Sequence, residues 1–182
     1  MPPISQATDS LISDMKTDVK MKHYIILALA ILLPFQMWGQ KTLPNVEVKD
    51  IDGNTVNIRS IMDDNVPVIL SFWFTSCKPC LQELGAINDA YVDWAEEADF
   101  KVVAVATDDS RSSAKVKPMV TGRGWTDITF LLDENSDLKR AMNVQMQPSV
   151  FILDKDGNVV YTHNGYTPGS EEELFDQILK LQ

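Results

Sequence analysis

The apolar run Val66-Pro67-Val68-Ile69-Leu70-Ser71-Phe72-Trp73-Phe74 leads within three residues to Cys77-Lys78-Pro79-Cys80, and these cysteines are the only two in 182 residues. A strand that feeds a helix through Cys-x-x-Cys places the first sulfur at the helix N-terminus. Unpaired backbone N–H groups and the macrodipole stabilise a thiolate there. Two intervening residues let one helical turn bring the sulfurs within bonding reach, so dithiol and disulfide interconvert without refolding. Pro79 suits the first helical turn, where the N–H it lacks has no intrahelical partner, and Lys78 adds a positive charge beside the thiolate. The pattern points to a redox dithiol. The competing readings are a structural pair or half of a metal site. A closed zinc site needs four ligands, yet there is no second Cys-x-x-Cys, and the histidines, His23 and His163, lie far off in sequence. No metal and no cofactor is expected.

Lys20-Met21-Lys22-His23 followed by Tyr24 to Leu33 has the form of a secretory signal, a basic segment and then an apolar core. Cleavage is expected just before Gln40, although Met37 is larger than the small residue usual three positions before the cut. The alternative is a membrane tether through residues 24–38. A span needs about 20 apolar residues, which this stretch reaches only by running through Pro34 to Trp38, so cleavage is favoured. No cysteine lies near the apolar core to accept a lipid. Asp9, Asp14 and Asp18 are unusual ahead of an export signal, and Met21 is expected to be the true start; a cellular peptide spanning Met1 to Lys16 would overturn that.

The expected division is therefore residues 1–39 as extension and signal, and residues 40–182 as one exported, periplasmic or extracytoplasmic domain. The first part holds three acids and three lysines, so the domain keeps the whole formal charge of −10. Such an acidic surface argues against nucleic acid or an anionic membrane as partner.

Strand and helix signals alternate through the domain, which predicts an α/β fold. Val46–Lys49 and Thr55–Ile58 flank Asp52-Gly53 as a hairpin. Leu84, Ile87, Tyr91 and Trp94 recur at helical spacing and predict a helix to about Glu97 with that stripe inward. Lys101–Ala106 reads as a buried strand, Ser113–Thr121 as a helix ended by Gly122 and Gly124, Thr129–Leu132 as a strand, and Ser136–Met142 as a short helix. Ser149–Leu153 and Val159–His163 form a second hairpin, and Ser170 with Glu173 forms a capping box ahead of Leu174, Phe175, Ile178 and Leu179.

This order resembles the thioredoxin fold, a central mixed sheet flanked by helices. More narrowly it resembles the exported thiol-disulfide oxidoreductases of the TlpA/ResA-like group, with their extra N-terminal β-hairpin and an insertion between the central strand and helix. The resemblance covers about Leu43 to Leu181 and rests on Phe72-Trp73-Phe74-Thr75-Ser76-Cys77-Lys78-Pro79-Cys80, Gln147-Pro148-Ser149-Val150-Phe151-Ile152-Leu153-Asp154 and Asp156-Gly157. Cys77, nearer the helix end, is expected to attack, and Cys80, a turn deeper, to resolve the mixed disulfide. The resemblance implies that Pro148 is a cis-proline facing the dithiol and that the backbone of Gln147 pairs with an extended substrate; a proline at a strand start is equally tolerated for structural reasons. Glu83, three residues after Cys80, shares its helix face, and the resemblance implies a buried carboxylate that exchanges protons with Cys80. Thioredoxin itself carries its buried acid where this chain has Ser71. Two positions depart from the group: Ser76 replaces a tryptophan, and Gly85 stands where a proline is common. Trp73 and Trp125 are expected to pack in the core or at its rim.

The expected function is thiol-disulfide exchange on exported proteins, as a reductant or isomerase. A membrane electron donor recharges it, and cytochrome c maturation is one pathway that the resemblance implies. Two alternatives differ in kind. A peroxiredoxin-type peroxidase resembles Thr-x-x-Cys at its attacking sulfur, whereas Phe74 precedes Cys77 by three. A copper carrier would add a histidine to the two sulfurs, and His163 is the one candidate in the domain.

Overall fold

The computed structural model describes residues 41–182; the expected signal, its cleavage point, the tether at residues 24–38 and the start site lie outside them. Seven strands make one mixed sheet: β1 Glu47–Asp50, β2 Thr55–Asn57, β3 Val68–Trp73, β4 Lys101–Ala106, β5 Ile128–Leu132, β6 Ser149–Leu153 and β7 Val159–Asn164. Their spatial order is β2-β1-β5-β4-β3-β6-β7. Four α-helices among the described residues accompany them: α1 Lys78–Glu97, α2 Val116–Arg123, α3 Asp137–Ala141 and α4 Ser170–Leu179. No helix among the described residues is long and apolar enough to cross a membrane.

Every residue of β3 is buried, because the strand lies between parallel β4 and antiparallel β6 and is covered on both faces. Its alternation splits the core. Ile69 and Trp73 join Cys80, Leu84, Ile87 and Trp94 of α1 and Leu174, Phe175 and Ile178 of α4. Val68, Leu70 and Phe72 join Val103, Val105, Leu138, Met142 and Phe151 on the opposite face. The α1 stripe read from the sequence is the inward face, with Trp94 stacked on Phe175 at a centroid separation of 4.8 Å. Truncating a fully buried member such as Ile87 to alanine would cost about 2–5 kcal/mol.

Four expectations are corrected in detail. The Ser113–Thr121 helix opens as a 3₁₀ turn over Ser113–Lys115, and Pro118 falls in the first turn of α2, where its missing N–H leaves no gap. Gly122 lies inside α2; Gly124, at φ +69°, ends the helix alone. The added strand–helix unit, β5 with α3, follows α2 instead of separating β3 from α1, which are four residues apart. The Ser170–Glu173 capping box does not form. Gly169 is the N-cap, and Glu173 instead accepts a hydrogen bond from the Tyr161 hydroxyl at 2.6 Å.

Candidate active site

The parallel pairing of β3 with β4 aligns Trp73 with Ala106, and the antiparallel pairing with β6 aligns Phe72 with Ser149. The ends of β3 and β4 and the start of β6 therefore meet at one edge of the sheet. The chain turns there from Trp73 into α1. Cys77 donates its backbone N–H to Phe74 O at 3.0 Å, then serves as N-cap of α1 in an extended conformation, its sulfur accepting from the Cys80 N–H at 3.2 Å. Cys77 and Cys80 form a disulfide with their Cα atoms 5.3 Å apart. Both are buried, Cys80 completely, while Ser76, Lys78 and Pro79 are exposed around them. When the pair is reduced, the N–H groups of this helix end stabilise negative charge on Cys77.

The Gln147–Pro148 peptide is cis, as the resemblance implied. Gln147 O lies 4.0 Å from Cys77 Sγ, so the loop before β6 and the dithiol face each other. The Gln147 side chain points inward: its Nε2 donates to Trp73 O at 3.0 Å and to Thr107 Oγ1 at 2.9 Å. Behind it, Ser149 Oγ lies 2.5 Å from Asn164 Oδ1 and 2.7 Å from Met146 O, tying the loop to β7.

Glu83 sits one turn beyond Cys80 and is 1% exposed. Ser71 Oγ donates to its Oε2 at 3.0 Å, while its Oε1 is buried with no hydrogen-bond partner among the described residues. Burial pushes its pKa up to about 8; the Ser71 hydroxyl offsets part of that rise, and the negative charge of Glu171 adds to it. A carboxyl of this kind is protonated near neutral pH and can exchange its proton with a neighbouring thiol.

The structure thus brings together Cys77, Lys78, Pro79, Cys80, Glu83, Gln147 and Pro148. His163 is separate: it lies on β7, with Nδ1 3.9 Å from Glu173 Oε2. Among the described residues no group of three metal-ligating side chains forms. Trp73 and Trp125 meet edge to face in the core at 6.4 Å. Sequence reasoning missed the Ser71 hydrogen bond and the parts of Thr107 and Asp108, which grip the dithiol loop from the end of β4. Strand register was the available signal, since aligning residue 73 with 106 sets residues 107 and 108 beside 74 and 75.

Comparison with known proteins agrees with this geometry. Residues 40–162 match the AhpC/TSA family. Thiol-disulfide oxidoreductase ResA of Bacillus thuringiensis subsp. konkukian is 28% identical over 143 residues, 78% of this chain and 77% of that protein. Among solved structures, an uncharacterized thioredoxin-like protein from Porphyromonas gingivalis is 46% identical with a TM-score of 0.68, over 76% of this chain and 90% of the other. A putative thiol:disulfide interchange protein DsbE from Chlorobium tepidum is 25% identical with a TM-score of 0.67, over 78% and 96%.

Proposed function

The chain belongs to the AhpC/TSA family, in its thioredoxin-like ResA group of thiol-disulfide oxidoreductases, and on that premise we propose that it acts as a reductant or isomerase of exported proteins. The single observation that carries the reading is the Cys77–Cys80 disulfide at the head of α1, faced by Gln147 O and backed by buried Glu83.

In the reductive direction the Cys77 thiolate attacks one sulfur of a substrate disulfide. A Cys77–substrate disulfide forms, and the substrate's other sulfur leaves as a thiolate, which takes a proton from solvent. Cys80 then attacks Cys77, its proton passing to Glu83 in the minor fraction of molecules in which that carboxyl is ionised, a fraction that grows as pH rises toward about 8. The Cys77–Cys80 bond closes, the second substrate sulfur departs, and two electrons have passed from protein to substrate. Glu83 Oε1, buried and without a partner, is the seat for the Cys80 proton. Gln147 O and the loop that ends at Pro148 offer main-chain pairing to an extended substrate segment, and Lys78 with Pro79 tunes the dithiol from the helix end.

An oxidising compartment would leave the dithiol spent after one turnover, so a membrane electron donor recharges it. Cytochrome c maturation is the pathway proposed for its clients. The location is exported, periplasmic or extracytoplasmic, with the signal cleaved.

The test is the equilibrium potential of the Cys77–Cys80 pair in glutathione or dithiothreitol buffers, with Cys77→Ser as control. A value below about −230 mV is expected of a reductant; one near about −120 mV would make the protein an oxidant and overturn the direction.

A further inference from the structure

We propose that Asp108 is a positioning residue for the dithiol, its carboxylate holding the loop that delivers Cys77. The inference rests on the assignment of Cys77 as the attacking sulfur. Asp108 follows β4 and is 7% exposed. Both of its oxygens are spent on one residue: Thr75 N–H donates to Oδ2 at 2.9 Å, and the Thr75 hydroxyl donates to Oδ1 at 2.5 Å. Its neighbour Asp109 turns elsewhere, to Arg111 and Ser112. No lysine, arginine or histidine pairs with Asp108 among the described residues. A nearly buried carboxylate without a cation is costly unless its hydrogen bonds are made, and here every one described goes to a residue two positions before Cys77.

The same short stretch is gripped from two further points. Trp73 O accepts from Thr107 N–H at 2.9 Å and from Gln147 Nε2 at 3.0 Å. Downstream of Thr75, Ser76 is exposed, and Cys77 is held through its N–H to Phe74 O and through its carbonyl, which accepts from the Leu81 N–H at 3.1 Å as α1 begins, so Thr75 and the helix start set its position from either side. Loss of the Asp108 anchor frees Thr75, two residues before Cys77, and with it the strand-side hold on the helix N-cap. The Cys77 sulfur must keep its contact with the Cys80 N–H for the helix end to stabilise a thiolate. Charge alone works in the opposite sense, because a nearby carboxylate disfavours a thiolate. The two roles thus predict opposite signs when Asp108 is removed.

The experiment is iodoacetamide alkylation of the reduced full-length protein across pH 5–9, with the labelled cysteine identified by peptide mass. Folding is checked by near-UV circular dichroism at the same temperature. Asp108→Ala should slow Cys77 labelling at pH 7 by about tenfold, the effect of a one-unit rise in thiol pKa. Asp108→Asn can accept from the Thr75 N–H and donate to a rotated hydroxyl, so it should stay within about twofold of wild type. Thr75→Val should slow labelling in part, and the Asp108→Ala/Thr75→Val double variant should be no slower than Asp108→Ala. If Asp108→Ala does not fold, Thr75→Val with Asp108→Asn decides. Faster labelling of Asp108→Ala, additive losses in the double variant, or wild-type rates in Thr75→Val would each overturn the positioning role. Wild-type label falling on Cys80 would instead overturn the assignment of the attacking sulfur.

Discussion

Ser71 and Glu83 are joined by a hydrogen bond of 3.0 Å between a central strand and the helix that carries the dithiol, and both residues are buried to 1% exposure or less. The bond occupies one carboxyl oxygen and leaves the other bare. A single hydroxyl thus orients an acid inside the hydrophobic core and limits how far burial raises its pKa.

Stability should carry the mark of that acid. Glu83 keeps its proton in the folded protein up to about pH 8, whereas its ordinary value is 4.5. Between those values the unfolded chain releases the proton and the native protein holds it, so the stability present below pH 4.5 is lost as pH rises through the window. Thermal melts of the disulfide form from pH 4 to 9 should show this decline. Glu83→Gln should match wild type near pH 5 and melt higher than wild type near pH 9; parallel pH curves for the two proteins would refute the assignment.

Ser71→Ala removes the donor and should push the Glu83 titration upward from about 8. Carbon-13 NMR of the labelled carboxyl reads this directly. The substitution should also cost about 1 kcal/mol, more when Glu83 is ionised than when it is neutral. An unmoved midpoint would mean that the hydroxyl does not sense the carboxylate charge.

Gln147→Ala deletes the amide that spans from the loop facing the dithiol to Trp73 O and Thr107 Oγ1. A loss of about 1–2 kcal/mol is expected from the two hydrogen bonds, seen as a Tm lower by several degrees. Turnover of a protein disulfide should slow by about fivefold or more, since the facing carbonyl loses its support. Unchanged turnover would show that the loop is held from the β7 side alone, through Ser149 and Asn164.

Gly85 lies inside α1, where an added Cβ would meet Trp125 Cζ2 at an ordinary 4.0 Å. Gly85→Ala should therefore stabilise the protein by about 0.5–1 kcal/mol through helix propensity. Denaturant melts that show destabilisation would mean that Trp125 requires the open space.

Much of this architecture could be read from residue order. The Val66–Phe74 run is apolar throughout because β3 is covered on both faces, and the Leu84-Ile87-Tyr91-Trp94 spacing is the inward stripe of α1. The dithiol was legible in its Cys-x-x-Cys spacing, whereas the cis-proline and the buried acid were expected only through the family resemblance. Ser71, Thr107 and Asp108 were not legible, because their roles arise from strand register and from contacts more than ten residues apart. The capping box at Ser170 failed for the same reason in reverse: a local pattern lost Glu173 to a hydroxyl on a neighbouring strand.

The distance along the chain between the dithiol and what faces it has a consequence for biosynthesis. Gln147 comes 70 residues after Cys77, and the residues between them supply β4, β5 and most of the helices. A growing polypeptide therefore presents both thiols long before the segment that shelters them has been made. During that interval their chemistry is that of two unguarded sulfurs, open to any oxidant or partner thiol within reach. The selectivity of the finished enzyme begins only when the last hairpin docks beside β3.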